Sequence, residues 1–434
     1  MGRHPAEAFA DCEKSAPESW APEGRRGARR VLAKPAVNGE AEALVAELAE
    51  LLQVYGTPTH HLEDAVDRLA HRLGVEATVF ATPTSLQIGF GKTANQRLHL
   101  RRVSAGELDL GRLVELDELV TMITDDPSRV AEVRRRLAKL REAPPRYRRA
   151  TIWAAYAVAS GTAASLFGGT WREILISALL ASSLGPLAEW LGRRPGSAGL
   201  LHPVASFGVS FIAFGLAAMG LGISGDIAVI SGLIALVPGL TLTVALTELA
   251  TGHVVSGTAR LAGTGSVFVL MLLGVVMGHT AAERVFGVIP EIVANPYAWI
   301  WPLALALAPL AFVVIFSARR REAGWIWLGG VGGVLVARTM GTFAGAELAS
   351  FAGALFVGLL SNELDRRGRL PASVMRAPGL ILLVPGSMGF RSLEALYRHE
   401  AVHGIEGIFT TALVGAALAG GLLVANLIRA PRGG

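Results

Sequence analysis

Residues Ile234–Gly257 read IALVPGLTLTVALTELATGHVVSG, and Ile381–Gly404 read ILLVPGSMGFRSLEALYRHEAVHG. Each stretch carries a single Val-Pro-Gly inside an apolar run. Pro238 and Pro385 lie 147 residues apart, and at that spacing Leu246 meets Leu393, Val255 meets Val402 and Gly257 meets Gly404. Proline removes a backbone donor and clashes with the preceding turn. Glycine lets the chain leave the helix. Inside a bilayer the freed carbonyls find no partner in lipid, so such a break belongs in a wet cavity or within protein. The alternative is a proline that only kinks a packed helix.

Working outward, the 434-residue chain is 52% hydrophobic and 17% charged, a balance that fits the membrane class. Beyond Ala150 it resolves into ten apolar segments, at roughly 151–167, 172–191, 201–221, 225–250, 259–279, 297–317, 324–338, 343–361, 377–398 and 404–428. Most are long enough to cross about 30 Å of hydrocarbon. Arginines at 146, 148, 149, 193, 194, 260, 319–321, 366, 367, 369, 429 and 432 fall on one side if every segment crosses, with Arg172, Arg284 and Arg338 as exceptions. Positive residues mark the cytoplasmic side, so both termini are expected there. Each Val-Pro-Gly sits in the fourth of five segments. An odd number of crossings per half inverts the second copy, a construction many secondary transporters share.

The fold expected is therefore a polytopic α-helical membrane protein, with about ten transmembrane helices in two inverted five-helix repeats behind a small α+β cytoplasmic domain. The boundaries are a disordered tail at 1–38, the α+β domain at 39–145, the first repeat at 146–292 and the second at 293–434. In the α+β domain, helical spacing over Gly39–Tyr55 and from Thr57 or Thr59 to Leu73 precedes period-two stretches at Val75–Phe80, Ser85–Phe90 and Gln96–Val103. Helical spacing returns over Asp109–Ile123 and Pro127–Glu142. The lone Cys12 allows no intrachain disulfide. The net charge of +5 lies largely in loops beside segments, which reads as topology and not as nucleic-acid binding. His60, His61, His71 and His99 match no standard metal-ligand spacing and read as surface or helix-capping residues.

Half-helices starting at Gly239 and Gly386 would aim free N–H groups and a positive dipole end at a carboxylate. Thr241, Thr243 and Ser387 follow with hydroxyls. Pro238, Gly239, Thr241, Thr243, Pro385, Gly386, Ser387 and Arg391 are thus the candidate substrate-binding residues. Ionisable residues at membrane depth are costly and mark function or a structural pair. Glu248 and Glu394 are the candidate proton carriers, Glu394 with Arg391 within pairing reach. Glu189 beside Arg193 reads as a structural pair. A membrane-embedded enzyme would need a nucleophile–base set, yet His202, His253, His279, His399 and His403 sit at segment ends with no HExxH or GxSxG arrangement. A channel is a further alternative.

The chain resembles the threonine/serine exporter (ThrE-like) family, in a form with the two halves fused. The likeness is carried by Tyr55-Gly56-Thr57-Pro58-Thr59-His60-His61-Leu62-Glu63, Ala81-Thr82-Pro83-Thr84-Ser85-Leu86, Leu108-Asp109-Leu110-Gly111, Leu166-Phe167-Gly168-Gly169, Val237-Pro238-Gly239 with Ser256-Gly257 and Arg260, and Val384-Pro385-Gly386-Ser387. His61 stands where the family commonly has arginine, and Thr243-Val244 stand where an asparagine is expected. The resemblance implies proton-driven export of threonine and serine from a bacterial cytoplasmic (inner) membrane, with those amino acids, protons and the lipid bilayer as partners, no cofactor and no nucleic acid. A homo-oligomer is compatible with it. Export of another small organic acid or a dipeptide is the alternative reading.

Overall fold

A computed structural model describes residues 38–92, 96–103, 108–194, 196–197, 199–290, 292 and 299–431. Residues 1–37 of the expected tail, Cys12 among them, Arg432 and residue 293, the expected start of the second half, lie outside these, while Asn38 already belongs to a helix.

The chain is mostly helical. Its N-terminal part is α1 (Asn38–Val54), α2 (Thr59–Leu73), strands β1 (Ala77–Thr82), β2 (Ser85–Phe90) and β3 (Arg97–Arg102), then α3 (Leu110–Asp125) and α4 (Val130–Glu142). The strands form one antiparallel sheet in the order β1-β2-β3, with Ala81 opposite Leu86 and Ile88 opposite His99. Gly74 closes α2 in the left-handed conformation at φ 69°, as a C-terminal glycine does. Leu44, Leu48, Leu62, Leu69, Leu86 and Ile88 are buried in the core. That core does not stop at the domain edge, because Leu110, Val114 and Leu137 share one cluster with Val313, Ile326, Val374 and Met375 of the following helices.

Those helices are α5 (Arg149–Leu166), α6 (Trp171–Ser182), α7 (Leu184–Gly192), α8 (Leu201–Ala218), α9 (Gly225–Gly232), α10 (Gly239–Ala250) and α11 (Val254–Phe286). They are followed by α12 (Ile300–Ile315), α13 (Ala323–Gly341), α14 (Ala346–Arg366), α15 (Ala372–Ile381), α16 (Gly386–Tyr397) and α17 (Ala401–Ile428). Among the described residues, five helical stretches are long and apolar enough to cross a membrane: Trp171–Gly192, Leu201–Ala218, Val254–Phe286, Ala372–Tyr397 and Ala401–Ile428. Gly239–Ala250 and Ile300–Ile315 are apolar but shorter. The chain is a multi-pass membrane protein. Leu179 and Leu427 are exposed at 70% and 86%.

The segment read as 172–191 is two helices joined at Ser183. The segment read as 225–250 is α9 and α10 with a non-helical link through Pro238. Likewise α15 and α16 are split before Pro385. Thus α10 begins at Gly239 and α16 at Gly386, where the Pro-Gly chemistry places a restart.

Equivalent contacts recur in the two parts, with the glycines 147 residues apart and the α8 and α14 partners 148 apart. Gly257 lies against Leu249 at the α10–α11 turn, and Gly404 against Leu396 at the α16–α17 turn. Gly274 of α11 receives Pro203 and Ser206 of α8; Gly421 of α17 receives Phe351 and Ala354 of α14. Such close approach needs small residues.

The two breaks meet. A β-carbon on Gly386 would stand 2.8 Å from the Gly239 Cα and 2.9 Å from a Val237 methyl; one on Gly239 would stand 2.6 Å from a Val384 methyl. We expect Gly386→Ala to lower the melting temperature in detergent by several degrees, an overpacking penalty of about 1–3 kcal/mol. Gly263→Ala, which meets no atom within 4 Å, serves as the neutral control. Equal melting of both variants would contradict the packing described.

Candidate functional site

Two polar clusters lie at the two ends of the broken helices. The first sits where the α+β domain touches the membrane helices. Glu248, on the last turns of α10, is fully buried. Its carboxylate accepts from the Thr59 amide at 2.9 Å, the Ser256 hydroxyl at 2.9 Å, and Arg260 Nε at 3.1 and 2.9 Å. A second bond, 2.7 Å, joins the Thr59 and Ser256 hydroxyls. Thr59 is the first residue of α2, whose N-cap Pro58 supplies no side-chain acceptor. Glu248 therefore caps, from 189 residues away, a helix start that its own sequence leaves bare.

Glu63, one turn further along α2, accepts the Ala81 amide at 2.9 Å and stands 3.2 Å from His253 Nε2. His60 and His61 project between these contacts, their rings 4.2 Å apart, with His60 also 6.0 Å from His253. They are junction residues and not the surface or capping residues expected; His71 and His99 are exposed. Desolvation drives the His60 pKa down to about 4 from 6.5, with Glu248 and Asp64 opposing and His253 and Arg376 assisting. Desolvation, with His60 and then Arg376 beside it, holds His61 well below the ordinary imidazole range.

The α3 start docks in a second way. Asp109 caps α3 by accepting the Arg112 amide at 2.9 Å, and the Leu110 amide donates to Phe316 O at 2.9 Å beyond the end of α12. Gly111 has no β-carbon because Ser317 O would lie 2.5 Å from it. The Thr-Pro-Thr-His-His-Leu-Glu and Leu-Asp-Leu-Gly stretches are thus both docking contacts onto membrane helices.

The second cluster lies at the other end. Arg398, following α16, donates to Asp226 at 2.7 Å and Glu394 at 2.9 Å. Asp226 opens α9, so this bridge ties the first broken helix to the second. The pairing of Glu394 with Arg391 is corrected: Glu394 pairs with Arg398, while Arg391 is exposed and lies over the Phe167 ring at 5.8 Å. Arg398 is four residues along the helix and reaches the same carboxylate.

At the breaks, Pro238 and Pro385 are the N-cap residues of α10 and α16. The Gly239 amide turns back to Val237 O at 2.8 Å, so one of the expected free donors is spent locally. Thr243 is buried and its hydroxyl bonds Gly239 O at 3.4 Å, whereas Thr241 points outward. Ser387 is half-buried beside Gly386. Geometry therefore groups Gly239, Gly386, Thr243 and Ser387, and sets Thr241 and Arg391 apart. Glu189 pairs with Arg149 at 2.9 Å.

Besides Glu248, four ionisable residues are buried among the described residues, Glu42, Glu173, Glu322 and Arg376, and none stands out in the sequence. Glu173 completes a capping box with Thr170 and accepts the Ser224 amide at 2.7 Å, holding two turns together. Arg376 of α15 is 7% exposed; it stood one residue outside the segment drawn as 377–398. The repeat spacing offered no signal for it, since Val229 stands 147 residues earlier. Among the described residues no three His, Cys, Asp or Glu side chains converge as metal ligands do.

Apolar helices long enough to cross a membrane, two of them broken at facing Pro-Gly pairs, define a multi-pass membrane protein. The chain belongs to the threonine/serine exporter family: residues 43–282 match the family described as "Putative threonine/serine exporter" and residues 303–428 that described as "Threonine/Serine exporter, ThrE". This is a family of exporters and not of enzymes. The chain is similar to a Mycobacterium tuberculosis protein named "Probable threonine/serine exporter", 26% identical over 76% of this chain and 65% of the relative. It is also similar to the "Pheromone-regulated membrane protein 10" of Debaryomyces hansenii, 23% identical over 81% of this chain and 36% of that protein. The chain thus spans less than two thirds of the length of these relatives. No solved structure matches it.

Two outcomes follow for the junction. Removing the buried Glu248 carboxylate leaves the Thr59 amide uncapped and the half-buried Arg260 without its counter-charge, a loss of about 1–3 kcal/mol. Glu248→Ala should therefore undock α2 and speed limited proteolysis at 56–58, half-buried in the docked form; native-like resistance would contradict this. The depressed His60 pKa sets a pH dependence. The undocked form binds more protons between pH 4 and 6.5, so docking is strongest above 6.5 and loses on the order of 3 kcal/mol as pH falls towards 4. Amide exchange at Thr59–Glu63, corrected for intrinsic rate, should rise from pH 7 to pH 5, and less so in His60→Phe.

Proposed function

We propose that this protein exports threonine and serine, coupled to protons, from a bacterial cytoplasmic membrane with its termini and α+β domain on the cytoplasmic side. In this reading the two halves are inverted five-helix repeats, and the site lies where α10 and α16 begin. The observation that carries it is the contact between Gly239 and Gly386. Two helix N-termini, each a partial positive charge, face one another there, an arrangement an anion relieves. A substrate carboxylate supplies that charge. Pro238 and Pro385 create the breaks, while Thr243 and Ser387 offer hydroxyls to a hydroxy amino acid. Thr241 and Arg391 would join once the helices reorient.

The proposed proton carriers, Glu248 and Glu394, each hold one end shut. Glu248 ties α10 and α11 to α2, and Glu394 shares Arg398 with Asp226. A proton on Glu248 weakens its bonds to Thr59 and Arg260 and opens the domain-side end. A proton on Glu394 loosens the opposite bridge. Alternation between the two gives transport with one gate closed at a time.

The test is counterflow of labelled L-threonine and L-serine in proteoliposomes, with and without an imposed pH gradient. We expect exchange of both amino acids, accelerated by the gradient, and in Glu394→Gln exchange that no longer answers to it. Flux that ignores both amino acids and the gradient would overturn the proposal.

A further inference from the structure

Arg376 is the unexplained charge of the membrane region. It sits on α15, 7% exposed, on the side that carries the α+β domain. Among the described residues its hydrogen bonds go to neutral groups. Nε donates to Ser361 Oγ at 3.2 Å, Nη2 to Asn426 Oδ1 at 2.6 Å and also to Asn362 Oδ1, and Nη1 faces His61 Nε2 at 3.4 Å. Asp365 attracts it through space. A guanidinium buried among neutral acceptors is an expensive arrangement that structure alone does not require. Glu248 shows the contrast, since its charge is met directly by Arg260.

Two further observations mark the place as a mouth. The only group from outside the membrane helices that reaches Arg376 in these bonds is the His61 imidazole of α2. Next to it, His60 Nδ1 is buried with no hydrogen-bond partner. Arg376 also lies nine residues before Pro385, about 13 Å along a helical path towards the break.

We infer that Arg376 is a carboxylate-binding residue at the domain-side mouth, and that His61 is its removable cover. The neutral imidazole takes the Nη1 edge that a carboxylate oxygen of an amino acid would take. Nε and Nη2 are held by Ser361, Asn362 and Asn426, so a carboxylate would take Nη1 through one oxygen, in a charge-assisted bond stronger than the one to imidazole. The substrate competes with His61 for Arg376, so its arrival and the withdrawal of α2 are one event. From there the solute passes to the helix starts at the breaks. This inference rests on the transport reading and adds to it an entry site and a lid.

The experiment uses full-length protein in detergent and measures equilibrium binding of labelled L-threonine, with L-threoninol, which lacks the carboxylate, as competitor. His61→Ala uncovers Arg376 and should tighten binding several-fold. Arg376→Gln should weaken it by about tenfold or more and abolish the preference for threonine over threoninol, with Arg376→Lys in between. If Arg376→Gln fails to fold, the gain in His61→Ala decides. Folded Arg376→Gln with native affinity and native discrimination, or His61→Ala with unchanged affinity, would overturn the inference while leaving the transport reading standing. If the unaltered protein binds neither threonine nor serine, the transport reading itself fails and this inference falls with it.

Discussion

The contact between Gly239 and Gly386 constrains everything around it. Neither position tolerates a β-carbon without displacing the other chain. The contact coincides with the starts of α10 and α16 and sets how closely the two breaks approach. Proline ahead of each glycine ensures that the break falls there and not a turn away. Around this point α10 packs on α17 and α16 on α11, each broken helix resting on the long helix of the other half.

The α+β domain is bound into this arrangement by charge as much as by apolar packing. Glu248 has no exposure and takes donors from three residues on two elements, Thr59 of α2 and Ser256 and Arg260 of α11. A carboxylate so placed is tolerable only because each donor is present. The opposite end uses the exposed pair Arg398–Asp226, which salt and water weaken. The two closures thus differ in kind: one is a buried cap on a foreign helix, the other a surface bridge.

Much of this was legible in the sequence because it is local. Pro-Gly chemistry announces a helix restart at Gly239 and Gly386 without knowledge of any partner. Strand alternation at Ser85–Phe90 and the helix stop at Gly74 are equally local. The docking residues were visible as motifs, but not as contacts, because Thr59 and Glu248 are brought together only by the tertiary fold. His60 and His61 were misjudged for that reason: their polarity reads as surface, and the surface they meet is another part of the chain. Arg376 was lost to a boundary. It stands just ahead of the apolar run at 377–398, while α15 starts four residues earlier still, at Ala372 after Pro371. Charges that end a hydrophobic run are not always outside it.

The central claim is that the paired breaks line a solute pocket. It is tested most directly by cysteine protection. With the single native cysteine replaced (Cys12→Ser), a cysteine introduced at Ser387 should react with a small water-borne thiol reagent, and L-threonine or L-serine should slow that reaction in proportion to occupancy. Labelling at this position that is indifferent to either amino acid, in protein that still exchanges them, would place the substrate elsewhere and contradict the account.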